Sequence, residues 1–360
     1  MISEFVSGTG GRLDEASRRL ARDAEGILVL VREDIVVRNV TESLHSLTVP
    51  VFGGVFPEVI YEGDRTAEGV VLVGLDRRPT VTTVTELSDP ETSVRDQLDS
   101  TVLERDHETA FVLVDSHTFG IGAFVRQLFD TYGVEMTFLG GGTGRLDGPD
   151  DVSVFTAGDE YADAAVVATV PTRSAVGVNH GWERIEGPFR VTSADGTTIE
   201  TLDGRPAFDV YTEALALHEA SVDKETFFET VKGYPFGISR AGDETIVRDS
   251  YAVTDENGIR CFGGVPEGEF LHLLRGESDR MISAAAAADT VAGDGGTVAF
   301  FDCISRVLYL EDEFTRELEV IGGETEPTFG ALTIGEIAND GRGHLEYYNK
   351  TSVVARIGTQ

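Results

Sequence analysis

One supersecondary pattern recurs three times along the chain, and this constrains the fold more than any composition figure does. GILVLV (from Gly26), VPVFGG (from Val49) and EGVVLVGL (from Glu68) are short apolar runs of the buried-strand type. TAFVLVDS (from Thr109), MTFLGGG (from Met136) and DAAVVATV (from Asp163) repeat the series, and GTVAFFDC (from Gly296), GALTIGE (from Gly330) and KTSVVARI (from Lys350) repeat it again. In the second copy a helix fills the gap, with Ile121, Phe124, Val125, Leu128 and Phe129 on one face and Gly133 as its C-cap. A helix around 314–320 does so in the third. The unit is strand, loop, helix, strand ending in Gly-Gly or Gly-Glu, excursion, strand. It predicts an α/β fold of mixed sheets with helices, built from repeated strand-helix-strand-strand units. Ligand-bearing loops are expected where the first strands end, at Asp115–Phe119 and Asp302–Arg306. The Asp closing FVLVD and the Asp in AFFD read as a matching pair.

A different block separates the second and third copies. RVTSADGTTIETLDG is a hairpin with its turn at Ala194–Gly196, Pro206 opens a helix, and a later β-rich stretch turns at Asn257–Gly258. The change of pattern places two subdomains at 1–212 and 213–360. The 360 residues suffice for two cores.

Charge excludes several partners. Sixty-three acidic residues face 29 basic ones, for a net −34 spread over the whole length, and the only lysines are Lys224, Lys232 and Lys350. Dispersed carboxylates with Arg in place of Lys suit a salt-rich cytoplasm, where molar salt screens self-repulsion within about 3 Å. Such a surface offers no basic face to nucleic acid. Cys261 and Cys303 alone make no disulfide framework and point to a reducing compartment. No apolar stretch reaches the ~20 residues of a membrane span, and no secretory leader is legible, so a cytoplasmic location is expected.

The strings FGGVFPEVIYEG, FLGGGTG, GVNHGW, LDGRPAFDVY, PFGI, ETIVRD, FDCISRVLYLED, TIGEIAN and EYYNKT, in this order, resemble the FIST family over roughly 26–356. The resemblance implies a sensory module of signal-transduction proteins, stand-alone here and of halophilic archaeal type, with its N-terminal and C-terminal parts at the two subdomains. It implies a small ligand, an amino acid or related polar metabolite, and a separate partner such as a histidine kinase. Some members are similar to haem-dependent nitric oxide sensors. No kinase, cyclase or long heptad motif accompanies the module in this sequence.

Candidate ligand-binding residues follow from chemistry. Arg306 can clamp a carboxylate while Asp302 accepts an ammonium group, with Ser305 beside them; alternatively the two charges pair with each other. Cys303 is a buried small residue or, in a hydrolase or transferase reading, a nucleophile lacking a local base. Glu336, Asn349 and Lys350 bracket the last excursion, as contacts or as turn stabilisers. His180 and Trp182 can ligate haem or stack on a ligand, or form a structural corner. Glu58 is read as the first unit's counterpart in the same cleft. No catalytic constellation or metal-ligand spacing appears, and GGGTG lacks the Lys-Ser/Thr of a phosphate loop. The leading expectation is a non-enzymatic sensor without a cofactor; the alternatives are a haem-based gas sensor and a Cys-dependent enzyme.

Overall fold

A computed structural model describes residues 1–66, 68–105, 108–148, 152–240, 244–322, 326–339 and 343–358. Among them the strands form three six-stranded sheets and a fourth of eight. The expected mixed α/β architecture holds, and the three repeated units are the centres of the three smaller sheets.

Each unit opens with a seven-residue strand, Gly26–Arg32, Thr109–Asp115 or Thr297–Cys303. Each is buried along nearly its whole length, which accounts for the continuous apolar runs. A helical crossover follows: Val37–Leu44, Ile121–Tyr132, or the pair Ile304–Leu310 and Phe314–Glu319. The chain returns as a parallel strand, Val51–Phe56, Thr137–Thr143 or Thr328–Thr333. It then leaves on the excursion and re-enters antiparallel to the opening strand, as Val70–Leu75, Ala164–Val170 or Ser352–Ile357.

The excursions join the units into a ring. Glu58–Tyr61 of the first unit pairs with Thr328–Thr333 of the third; Val154–Thr156 of the second pairs with Val51–Phe56 of the first; Glu336–Ala338 of the third pairs with Thr137–Thr143 of the second. No unit can complete its sheet alone. The recurrent glycines make this possible at equivalent positions. A Cβ on Gly53, Gly140 or Gly330 would collide with the carbonyl oxygen of Val29, Val112 or Phe300, its neighbour on the parallel strand.

This register corrects one expectation. With the opening strands superposed on their partners, Asp115 stands opposite Thr143 and Cys303 stands opposite Thr333. Asp115 is therefore the counterpart of Cys303, and Asp302 is one residue out of step on the other face of its strand.

Outer strands at Ile2–Val6, Thr80–Thr85 and Ser174–Asn179 flank the three sheets. In the third unit, the stretch carrying the fourth sheet comes between the outer strand and helix Ser278–Ala292. The fourth sheet runs from Glu183 to Arg275 and includes the expected hairpin, Glu183–Asp195 with Thr198–Leu202. Its core is aromatic: Tyr211 meets Phe227 and Phe236 edge-on, with ring centroids 5.6 and 5.3 Å apart. Residue 212 lies within helix Ala207–Ala216 of this stretch. No helix among the described residues is long and apolar enough to cross a membrane.

Candidate functional site

The corner after Thr297–Cys303 collects nine of the ten candidate residues. Two elements seal it: the chain reversal at Asn349–Thr351, and Val247–Asp249 of the fourth sheet. Asp302, Arg306, Glu336 and Lys350 are all fully buried there.

Arg306 projects from helix Ile304–Leu310 into this interior. Its Nε lies 3.0 Å from Glu317 Oε1 and 3.2 Å from Asp302 Oδ1. Nη1 donates to the carbonyls of His180 (2.7 Å) and Lys350 (3.3 Å). Nη2 donates to the Met281 carbonyl (3.1 Å) and Glu317 Oε1 (2.6 Å). Every N–H is engaged by the protein, so in this arrangement none remains for a ligand carboxylate. Asp302 is occupied as well: burial and the Glu317 charge push its carboxyl far above the usual range, so it retains a proton. The oxygens left without a partner, Asp302 Oδ2 and Glu317 Oε2, are those a proton shared between the two carboxyls would join.

A second layer lies against the first. Asp249 binds Lys350 Nζ at 3.1 Å through one oxygen and accepts the Ser305 hydroxyl at 2.5 Å through the other. The Asp249 N–H donates to Asn349 Oδ1 at 3.2 Å. Glu336 accepts from the Thr333 hydroxyl (2.8 Å) and the Thr351 N–H (3.3 Å), and the Cys303 thiol also bonds to it. Burial nevertheless pushes Glu336 up to about 8. Burial, with the charges of Glu336 and Asp249, drives the Cys303 thiol far above its ordinary value, the reverse of what a thiolate nucleophile needs. Lys350 has φ 51°, a left-handed conformation costing about 1–2 kcal/mol. The turn is held because its carbonyl accepts from both Arg306 and Trp182 Nε1, the latter at 3.0 Å.

Trp182 and His180 link this interior to the surface. The indole is buried, with Lys350 Nζ 5.4 Å from its ring centroid and Tyr309 5.3 Å away. His180 Nδ1 accepts the Trp182 N–H at 2.9 Å, and the imidazole also bonds the Thr245 backbone. Burial and the charges of Arg306 and Arg184 lower its pKa to about 4, so it is neutral near pH 7. The His180 ring offers no free nitrogen to a haem iron in this arrangement, because the Trp182 N–H and the Thr245 backbone occupy it. Glu58 does not join the group. It stands opposite Leu332 and binds Arg65 with two bonds of 2.5 Å, whereas the residue in the register position of Glu336 is Val59.

Sequence reasoning missed Asp249, Arg248 and Glu317. Glu317 had a visible signal: it shares a helical face with Phe314 and Leu318, where an acid should not lie unpaired. Arg248-Asp249 closes the apolar run TIV, again a charged pair at the end of a buried strand.

Over the His180–Trp182 corner opens a cleft of about 560 Å³ between the third unit and the fourth sheet. Arg184, Arg280, Glu183 and Glu244 line it together with Thr245 and Tyr348. Arg280 reaches Glu183 at 3.3 Å, and Arg184 donates to the Thr245 hydroxyl at 2.8 Å. A wider hollow of about 1000 Å³ beside the N-terminal strand is walled by Glu62, Asp64, Glu319 and Glu326.

A FIST N domain matches residues 17–205 and a FIST C domain matches 207–339. The chain belongs to the FIST family. FIST domains are signal-transduction sensory domains, and the two matches meet at the start of helix Ala207–Ala216, within the stretch that builds the fourth sheet. An uncharacterized protein of Methanocaldococcus jannaschii is 24% identical over 208 residues, 54% of this FIST chain. The match covers 40% of the length of that relative.

Proposed function

We propose that this FIST chain is a non-catalytic sensor that binds a small zwitterionic metabolite, an amino acid or close relative, in the cleft above His180 and Trp182. The observation that carries the reading is the cleft's position and charge. It lies between the third unit and the fourth sheet, and both signs of charge line it. A volume of about 560 Å³ is within the usual range for small-molecule sites. Behind it, the His180 carbonyl and the Trp182 indole are tied to Arg306 and Lys350, so displacement of the corner would reach the buried charges. A ligand preferring one arrangement by about 1–3 kcal/mol would pass a useful signal to a separate partner, such as a histidine kinase in the same salt-rich cytoplasm.

The test is thermal unfolding in molar KCl against the amino acids singly, with Arg280→Ala as the control for site. A true ligand at a hundred times its Kd stabilises by about 2.7 kcal/mol and raises the midpoint with log concentration. Arg280 is half exposed, so its removal should cost the free protein at most about 1 kcal/mol while weakening the ligand response at least tenfold. An unchanged response in Arg280→Ala would remove this cleft as the site.

A further inference from the structure

A second cleft, of about 470 Å³, lies between helix Ile121–Tyr132 and the fourth sheet. Arg126, Arg240, Arg248 and His344 line it with two acids, Asp130 and Glu346, in a chain that otherwise carries a net −34. The central observation is Arg248, which is 6% exposed. Three backbone carbonyls fix its guanidinium: Nε donates to Gly264 (3.2 Å), and Nη1 to Val247 (3.1 Å) and Tyr347 (2.8 Å). Among the described residues no carboxylate lies within ion-pairing distance. Glu346 acts from farther off and lies 3.7 Å from Arg240, which also pairs with Glu269 at 3.0 Å. Among the described residues Nη2 has no hydrogen-bond partner, and Arg248 lines the cleft.

A buried cation with no counter-ion is costly, and Arg306 shows the alternative within the same protein, two carboxyls around one guanidinium. We infer that the Arg248 cleft is an anion site for a small organic acid. The carboxylate head is held by Arg248 Nη2, and Arg126 closes on it from the exposed face of the helix, where it has no other partner among the described residues. The remaining walls are Val125, Phe129, Pro266 and Leu345, with the His344 ring edge-on to Phe129 at 5.3 Å. They suit an apolar body better than a bare inorganic ion. This site is separate from the His180–Trp182 cleft and does not depend on it.

The experiment is isothermal titration of the full chain at constant ionic strength with benzoate, hexanoate and inorganic phosphate, repeated on Arg126→Gln, Arg248→Lys and Arg280→Ala. The expected result is saturable binding of benzoate or hexanoate, weakened at least tenfold in Arg126→Gln and unchanged in Arg280→Ala. Arg126→Gln alters an exposed, unpartnered side chain, so a folding failure of Arg248→Lys would leave the test intact. Binding of phosphate alone, of no anion, or equally by Arg126→Gln and wild type would overturn the inference.

Discussion

The second and third units present the same corner in two environments. After Thr109–Asp115, the second unit's loop carries Phe119 at 85% exposure. After Thr297–Cys303, the third unit runs straight into helix Ile304–Leu310, which carries Arg306 at 0%. The scaffold is the same; the difference is what lies over it. The fourth sheet and the Asn349–Thr351 reversal cover the third corner, and every charge there has to find its partner inside the protein. At the second corner Asp115 simply accepts two backbone N–H groups, from His117 (3.0 Å) and Asp163 (2.8 Å). A repeated unit therefore supplies a position, and the element that covers it decides whether that position holds a surface loop or an ionic core.

The largest effect should come from opening the covered corner. Arg306→Met leaves the Glu317 charge without its cation and takes one donor from each of the His180, Met281 and Lys350 carbonyls, which should cost about 3–5 kcal/mol in urea unfolding. Adding Glu317→Leu removes the stranded charge and should restore much of that loss. A single variant within about 1 kcal/mol of wild type would show that the corner is not held by its charges, and would make Arg306 available to a ligand again.

The next effect separates the corners by pH. Glu336 titrates near 8 in the folded protein and near 4.5 when unfolded, so its contribution is fully present below about pH 4.5 and is lost as pH rises through 8. Wild-type stability should fall across this window by up to about 1.4 kcal/mol per pH unit, while Glu336→Gln should flatten the slope. Parallel slopes for the two proteins would mean that Glu336 is ionised throughout.

Much of this was legible in the sequence, and for a physical reason. Buried strands must be continuously apolar and the close strand approach admits only glycine, so GILVLV, FVLVD and VAFFDC announced the units and the Gly pairs of VFGG and FLGGG announced two of their centres. In the third the glycine that matters is the single Gly330, not the Gly335-Glu336 pair beyond the strand end. The ring was not legible, because excursions such as Glu336–Ala338 pair across units and nothing local in them names the partner strand. Register was the second gap. FVLVD and AFFD match by eye with Asp on Asp, yet the pairing sets Asp115 on Cys303, and the same slip placed Glu58 where Val59 stands. The third gap was compensation. Arg306 and Asp302 were found because they sit beside a strand end, but Glu317 and Asp249 come from a helix face and another sheet. Without them a satisfied guanidinium reads as a free clamp, while Arg248, whose Nη2 has no partner among the described residues, passes unnoticed.

The smallest effect, and the one that tests the comparison most directly, lies at the open corner. Burial alone would raise the Asp115 pKa, but its hydrogen bonds with His117 and Asp163 hold it below its ordinary value. Its contribution is therefore present above the unfolded carboxylate range and lost as pH falls through the folded value, the opposite sign to Glu336. Asp115→Asn keeps one acceptor but turns an amide N–H toward a backbone N–H, because the two bonds use different carboxylate oxygens. Measured in a His117→Gln background, which removes the imidazole 3.8 Å from Asp115 Oδ1, the cost should be about 1.5 kcal/mol, the same at pH 6 and pH 8, and should vanish only in acid. A cost that instead changes between pH 6 and pH 8 would mean that Asp115 titrates as Glu336 does, and that the cover of the fourth sheet is not what distinguishes the two corners.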